Sequence, residues 1–344
     1  MDAPATLAVI RFGGAGDVLL ATPVLEALSG AWPSTRILFV VKAPLAPLVA
    51  HHPAVHQVVT LAPGESPWSL ARRLRERGAS AVLDLHGKIR SKLLHAALPG
   101  LPWATWHKRD LAETVAVKLA GRRPRVALRQ ADRYHAAAER LVGRPLPRGC
   151  LRHHLGPEDR AVAGAALREA GANPDRPFVV LSPGAAWATK RWPPERYGAL
   201  AAHAIAAGFQ VAVPGSAAER PLAARIREVA PQALDLSGRL DLGGLAGLLD
   251  RCRAFAGNDS GPMHLARALG VPTLAFFGST DPAMFDLTDH RPLYRGLSCS
   301  PCSFYGRSRC PEGHFQCMLG IDAETAWQAF LPLLAGARRP PPAA

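Results

Sequence analysis

The sequence reads as an α/β chain built in two halves, each a parallel, doubly wound sheet. Three observations carry that reading. Short apolar runs alternate with helical patterns from Leu7 onward. A break rich in proline and glycine, Gly143-Arg144-Pro145-Leu146-Pro147-Arg148-Gly149, cannot continue a helix and reads as a linker. The same alternation then resumes and runs to Phe277. The expected domains are residues 1–150 and 151–335, followed by an Arg/Pro/Ala tail over 336–344 whose composition marks it as disordered.

Taken in order, Leu7–Phe12 is a strand and Asp17–Ala31 a helix. Ile37–Val41 and Val55–Leu61 are strands, Ser69–Arg77 a helix and Ala81–Leu85 a strand. Residues 110–142 are helical, interrupted by the basic stretch Gly121–Arg125. After the break and a helix at Pro157–Ala170 come strands at Phe178–Ser182, Phe209–Val213, Leu234–Leu236, Ala254–Ala256 and Thr273–Phe277. Helices at Pro194–Ala207, Ala217–Val229, Leu242–Leu249 and Ser260–Leu269 separate them. Ligands in such sheets bind beyond the carboxyl ends of the strands, so the cleft between the halves is the expected site.

Composition narrows the function. At 48% apolar and 20% charged, the 344 residues suit a soluble globular protein. No apolar run approaches the roughly 18 residues of a transmembrane helix. The start, Met1-Asp2-Ala3-Pro4, is acidic and leads into a strand, which disfavours a secretory signal and points to the cytoplasm. Residues 1–174 carry 24 Lys/Arg against 13 Asp/Glu, a net +11 of the chain's +14. A basic half suits an anionic partner: nucleic acid, an acidic membrane surface or a phosphorylated substrate. An arginine excess is also what a GC-rich coding sequence produces. Cys299, Cys302, Cys310 and Cys317 cluster, while Cys150 and Cys252 lie apart. The first pair has zinc-ligand spacing and His314 is a further ligand candidate, so a structural zinc clamp and plain buried thiols both remain open.

Three turns carry candidate chemistry. The first strand ends in Gly13-Gly14-Ala15-Gly16-Asp17, where small residues let the backbone approach a ligand and the positive end of a helix suits a carboxylate. An N-capping role for Asp17 is the plainer alternative. The spacing is neither G-x-G-x-x-G nor a P-loop, which disfavours NAD and P-loop chemistry. Ser182-Pro183-Gly184-Ala185-Ala186 closes a strand, and Lys190-Arg191-Trp192-Pro193 follows it, with Trp192 anchoring the lysine as a diphosphate clamp. Gly257-Asn258-Asp259-Ser260-Gly261 brings a carboxylate and free amides to a helix N-terminus, where a phosphate or sugar hydroxyl is held.

These segments, from Val9 to Pro23, Ser-Pro-Gly to Lys-Arg-Trp-Pro and Gly257 to Gly278, together resemble the ADP-heptose:lipopolysaccharide heptosyltransferases, glycosyltransferase family 9. The Cys299–Met318 stretch resembles a segment seen in many members, and the likeness spans nearly the whole chain in the same order. It implies a GT-B fold, two Rossmann-like domains facing a central cleft, with acceptor on the first and nucleotide sugar on the second. By position, Asp17 becomes the general base, Lys190 the diphosphate contact and Asp259 the holder of sugar hydroxyls, with Ser260, Gly261 and His264 completing the donor site. Gly13 and Gly14 stand where many members have serines, and Phe12 where an aliphatic residue is usual.

The expected reaction is inverting transfer of heptose from ADP-heptose to a lipopolysaccharide core, with no catalytic metal or cofactor. Lys88, Arg90, Lys92, Lys118, Arg122, Arg123 and Arg125, with Gly13 and Gly14, are the acceptor candidates. They suit an anionic lipid-linked oligosaccharide and a peripheral contact with the inner membrane surface. Another GT-B enzyme using a UDP-sugar, transferase or epimerase, is the nearer rival. A basic zinc-containing nucleic-acid-binding protein is the farther one, and no recognised nucleic-acid motif supports it.

Overall fold

Five parallel strands carry the first part of the chain in the computed structural model, which describes residues 2–106, 128–288 and 290–335. The described residues group into two units, 2–106 with 128–154, and 155 onward. The first unit holds β1 (Thr6–Ile10), β2 (Arg36–Lys42), β3 (Gln57–Leu61), β4 (Ala81–Asp84) and β5 (Trp103–Thr105), in spatial order β3-β2-β1-β4-β5. All pairings are parallel, and Ile10 sits between Val40 and Asp84. Successive residues of β1 are all buried, as a strand covered on both faces requires.

The expected helix over Asp17–Ala31 is two helices, α1 (Ala15–Leu19) and α2 (Thr22–Ala31). Pro23 has no N–H to give the Leu19 carbonyl, and the Thr22 hydroxyl donates to it instead at 2.8 Å. After β3, α3 (Pro67–Glu76) starts where Ser66 accepts from the Ser69 amide. Then α4 (Ile89–Ala96) and β5 arrive, neither legible in the sequence. Only Ser91 and Leu94 of α4 are buried, too few apolar contacts to leave a periodic signal. Leu70, Ala71, Leu74 and Leu94 pack on Ala8, Ile10, Val40 and Val82 of the sheet.

The first unit ends with α5 (Gln130–Val142), which Gly143 caps at φ +83°. Residues 107–127, with Lys118, Arg122, Arg123, Arg125 and the start of the expected 110–142 helix, lie outside the described residues, as does the 336–344 tail. The proline-rich break is no free linker. Leu146 is buried with its carbonyl 3.0 Å from His135 Nε2, and the Cys150 amide donates to Glu26 at 3.4 Å. The chain therefore stays packed on the first unit as far as His154, four residues beyond the expected boundary at 150.

The second unit opens with α6 (Asp159–Glu169). Its strands are β6 (Phe178–Ser182), β7 (Gln210–Gly215), β8 (Leu234–Ser237), β9 (Phe255–Asn258), β10 (Thr273–Phe277) and β11 (Arg291–Tyr294). They run parallel in the order β11-β10-β9-β6-β7-β8. The helices are α7 (Pro194–Ala206), α8 (Arg220–Val229), α9 (Leu242–Arg251), α10 (Gly261–Ala268), α11 (Gln316–Leu319) and α12 (Ala323–Ala335). The expected helix Ala217–Val229 begins as a 3₁₀ turn over Ala217–Glu219. Sequence reading missed β11, an edge strand holding Pro292 where a lost N–H is tolerated, and it missed α12, whose Phe330 and Leu334 complete the core around Trp192, Tyr197 and Phe276.

Each sheet reverses its strand order once, between β1 and β4 and between β6 and β9. The loops leaving such a pair of strands turn to opposite faces and open a crevice at the carboxyl edge. All three turns singled out above leave one of these four strands. No helix among the described residues is long and apolar enough to cross a membrane.

Candidate active site

At the first crevice, β1 runs through Gly13 and Gly14 into α1. Gly14 has φ +85°, and a Cβ there would lie 2.5 Å from Asp17 Oδ2. Glycine is what lets the carboxylate fold back over the turn. Asp17 is the third residue of α1 rather than its first, and its side chain remains 36% exposed. Arg11, buried at the end of β1, donates through Nη2 to Asp17 Oδ2 and through Nη1 to the Leu85 carbonyl at 2.8 Å. Tyr134 of α5 is fully buried and donates its hydroxyl to Asp17 Oδ1 at 3.3 Å. Burial, and then the Asp17 charge, push that phenol well above its ordinary pKa, so it stays protonated. Both carboxylate oxygens are thus held while one side stays open to a reactant.

Sequence reading missed both Arg11 and Tyr134 as partners. Arg11 sits inside an apolar run, and Tyr134 lies 117 positions away in sequence. Across the crevice, buried Asp84 accepts from the His86 and Gly87 amides at 2.8 and 3.0 Å and so shapes the turn after β4. Burial raises its pKa against those bonds.

The second crevice joins what the sequence offered as separate pieces. Lys190 Nζ lies 2.7 Å from Asp259 Oδ2, which also accepts the Thr280 hydroxyl at 2.7 Å. Burial would raise the Asp259 carboxyl, but Lys190 and these bonds win and hold it below the usual carboxylate range. Burial, with Arg267 beside it, brings His264 down to about 3, so its ring is neutral at working pH and Lys190 supplies the charge. Arg267 can only donate, so His264 Nδ1 accepts from it at 3.2 Å and Nε2 carries the proton. That N–H lies 4.0 Å from Asp259 Oδ1, which places His264 behind the aspartate rather than at the helix end.

Asn258, fully buried at the end of β9, ties this crevice together. Its Oδ1 accepts from the Trp192 amide and the Tyr197 hydroxyl, both at 3.0 Å, and its Nδ2 donates to the Pro183 carbonyl at 2.8 Å. Trp192 is fully buried, stacks on Phe276 at 4.1 Å and donates its indole N–H to the Ile321 carbonyl at 2.9 Å. The lysine segment is therefore anchored two residues from Lys190. Ser260 stands at the N-cap position of α10, but its hydroxyl makes no capping bond and donates to the Asn258 carbonyl at 3.1 Å. Pro262 has no N–H, which leaves the Gly261 and Met263 amides as the first-turn donors.

The remaining expected residues are placed less centrally. Lys88 and Lys92 are exposed on α4, and Arg90 is half-buried over the Phe12 ring at 5.9 Å while donating to the Glu65 carbonyl. Among the described residues, no three of the clustered cysteines, with or without His314, bring ligand atoms within 4.8 Å of one another. Within this stretch Cys299 Sγ lies 3.7 Å from His314 Nε2. Burial, and then Cys302, Cys310 and Cys299, push the Cys317 thiol up to about 11. The group that does meet that spacing is Glu26, His52 and His154. There the Ala54 amide donates to His52 Nδ1 at 3.2 Å, which leaves the other ring nitrogen a donor rather than a metal ligand.

Comparison with known proteins agrees with this architecture. The family model for glycosyltransferase family 9 (heptosyltransferase) matches residues 67–308. Two Rossmann-like units with sites at their strand switch points are those of the GT-B glycosyltransferase fold. The chain belongs to glycosyltransferase family 9. It is 30% identical over 311 residues to lipopolysaccharide heptosyltransferase 1 of Pseudomonas aeruginosa, covering 86% of this chain and 85% of that protein. Among solved structures, a family 9 glycosyl transferase from Veillonella parvula superposes with TM-score 0.80 at 21% identity, covering 98% of this chain and 99% of the other. The Escherichia coli ADP-heptose LPS heptosyltransferase II gives 0.75 at 23% identity, covering 96% and 98%.

Proposed function

We propose that the protein is an inverting glycosyltransferase that moves a heptose from ADP-heptose onto an anionic, lipid-linked lipopolysaccharide core. Membership of family 9 supports the reaction class, and the printed names of its relatives support donor and acceptor. The observation that carries the mechanism is the Asp17 carboxylate, gripped by Arg11 and Tyr134 yet open to solvent on one side. An acceptor hydroxyl oxygen attacks the anomeric carbon from the face opposite ADP, and its proton passes to Asp17. The bond from that carbon to the β-phosphate oxygen breaks, and ADP leaves with the electron pair.

Negative charge grows on the departing diphosphate. In this scheme the Lys190 ammonium and the first-turn amides of α10 meet it, so no divalent cation is called on. Asp259 has two tasks. It aims Lys190 in the empty site, and it offers an oxygen to sugar hydroxyls when the phosphate draws the lysine away. His264 and Thr280 act through Asp259. Lys88, Arg90 and Lys92, with Arg122 and Arg123, attract the phosphates of the acceptor.

Replacing Asp17 by Asn keeps the shape but removes the base, so turnover should fall roughly 10²–10⁴-fold while ADP affinity stays nearly unchanged. Initial rates with ADP-heptose and calorimetric ADP titration measure the two. Near-normal turnover of the variant would overturn the assignment. Lys190→Ala should weaken ADP binding and slow turnover together; unchanged ADP affinity counts against the clamp. Mass spectrometry of products from a panel of truncated cores, with UDP-sugars as competing donors, separates heptosyl transfer from the UDP-sugar alternative.

A further inference from the structure

Ile89 and Trp68, 77% and 60% exposed, are the two most exposed large apolar side chains among the described residues. They share one place. Trp68 is the second residue of α3 and Ile89 the first of α4. Arg90 of α4 donates to the Glu65 carbonyl just ahead of α3, and Arg75 near the end of α3 donates to the Ala97 carbonyl just past α4 at 2.7 Å. The two helices therefore run parallel and begin side by side. Leu93, 41% exposed, follows Ile89 by one turn on the same face.

Cations are interleaved with these apolar groups. Lys88 and Lys92 are exposed one position before Ile89 and Leu93, and Arg72 is exposed one turn from Trp68, shared with Glu76 at 3.8 Å. The nearest acid ahead of α3 is withdrawn: Glu65 is turned in, with Arg73 Nη1 on its two oxygens at 2.7 and 2.8 Å. An exposed tryptophan and aliphatics set among lysines match a layer that is apolar below and anionic above. They are a poor match to water, or to a purely polar ligand. Apolar insertion and charge attraction together supply the two signals that stable membrane attachment needs. Both helices follow parallel strands, so their first turns lie at the carboxyl edge of the first sheet, the edge that also carries Asp17.

We propose that the first turns of α3 and α4 form a docking surface for an anionic lipid bilayer. Trp68, Ile89 and Leu93 enter the headgroup layer, and Lys88 and Lys92 lie over acidic lipid phosphates. The surface itself stands on exposure and charge. Its purpose rests on the proposed lipid-linked acceptor: a sugar carried on a membrane lipid reaches the Asp17 edge while its acyl chains stay in the bilayer.

The test uses the full-length protein, sedimented with phosphatidylcholine vesicles with and without phosphatidylglycerol. The wild type should bind the anionic vesicles and release them as salt rises. The variant W68S/I89S/L93S should lose binding roughly tenfold or more, as should K88E/K92E, with unchanged thermal midpoints because these side chains are exposed. W68S/I89S/L93S should also keep wild-type turnover on a deacylated acceptor and lose it on the same acceptor embedded in vesicles. Equal vesicle binding by wild type and apolar variant, or no binding to any vesicle, overturns the proposal. So does conversion of a dimer to a monomer by the apolar variant in sedimentation, which would assign the patch to a second copy. A wild type that transfers no heptose to the deacylated acceptor would refute the enzymatic reading alone, and the vesicle binding would still decide the surface.

Discussion

Asp17 illustrates how much one side chain depends on its neighbours. A carboxylate after a glycine-rich turn is common, and capping alone would explain it. The role proposed for it rests on three contacts that sequence proximity does not reveal in full. Gly14 leaves room for Oδ2, Arg11 grips that oxygen and Tyr134 holds the other. Any side chain at position 14 would be strained at φ +85° and would press on Asp17. Tyr134→Phe keeps the buried ring and deletes one donor. Turnover should drop roughly tenfold, with ADP affinity and thermal midpoint close to wild type, read by initial rates, calorimetry and thermal melting. A drop in midpoint without a drop in turnover would make Tyr134 a packing residue only.

Among helices and turns, the lysine segment is anchored through one buried side chain. Asn258 satisfies the Trp192 amide and the fully buried Tyr197 hydroxyl with one oxygen. Asn258→Ala would strand both donors in the core and open a small void. The expected cost is about 2–4 kcal/mol, with weaker ADP binding because Lys190 loses its tether; denaturant unfolding checks the first and calorimetry the second. Leucine is too large for the site and would confuse the result with overpacking. The split of α1 from α2 belongs to the same class of effect. Pro23 ends one hydrogen-bonded ladder, and a threonine hydroxyl closes the gap, so the helix bearing Asp17 is a single short turn.

Across the chain, buried imidazoles set the response to pH. Burial, reinforced by His154 and His153, lowers His52 from 6.5 to about 4, with Glu26 and Arg152 also facing this cluster, and His264 falls to about 3 in the second unit. Between pH 6.5 and 4 the unfolded chain binds protons that the folded chain refuses, so stability is full above the unfolded value and is lost on acidification. His52 alone accounts for about 3 kcal/mol over that window. Thermal midpoints should fall steadily from pH 6.5 to 4, and His52→Asn should flatten the slope; a midpoint indifferent to pH would refute it. The alternation of apolar runs and helical patterns was enough to read both parallel sheets and most of their strands, because period and burial are written locally in residue type. Asp17, Lys190 and Asp259 stood out as candidates because turns at strand ends have a chemical signature of their own. Elements with little buried surface, α4 and β11, left no such trace. Nor could the string of residues show that Lys190 pairs with Asp259 or that Tyr134 reaches Asp17. Those are distances between segments remote in sequence, and they exist only once strand order has brought the segments to one edge of a sheet.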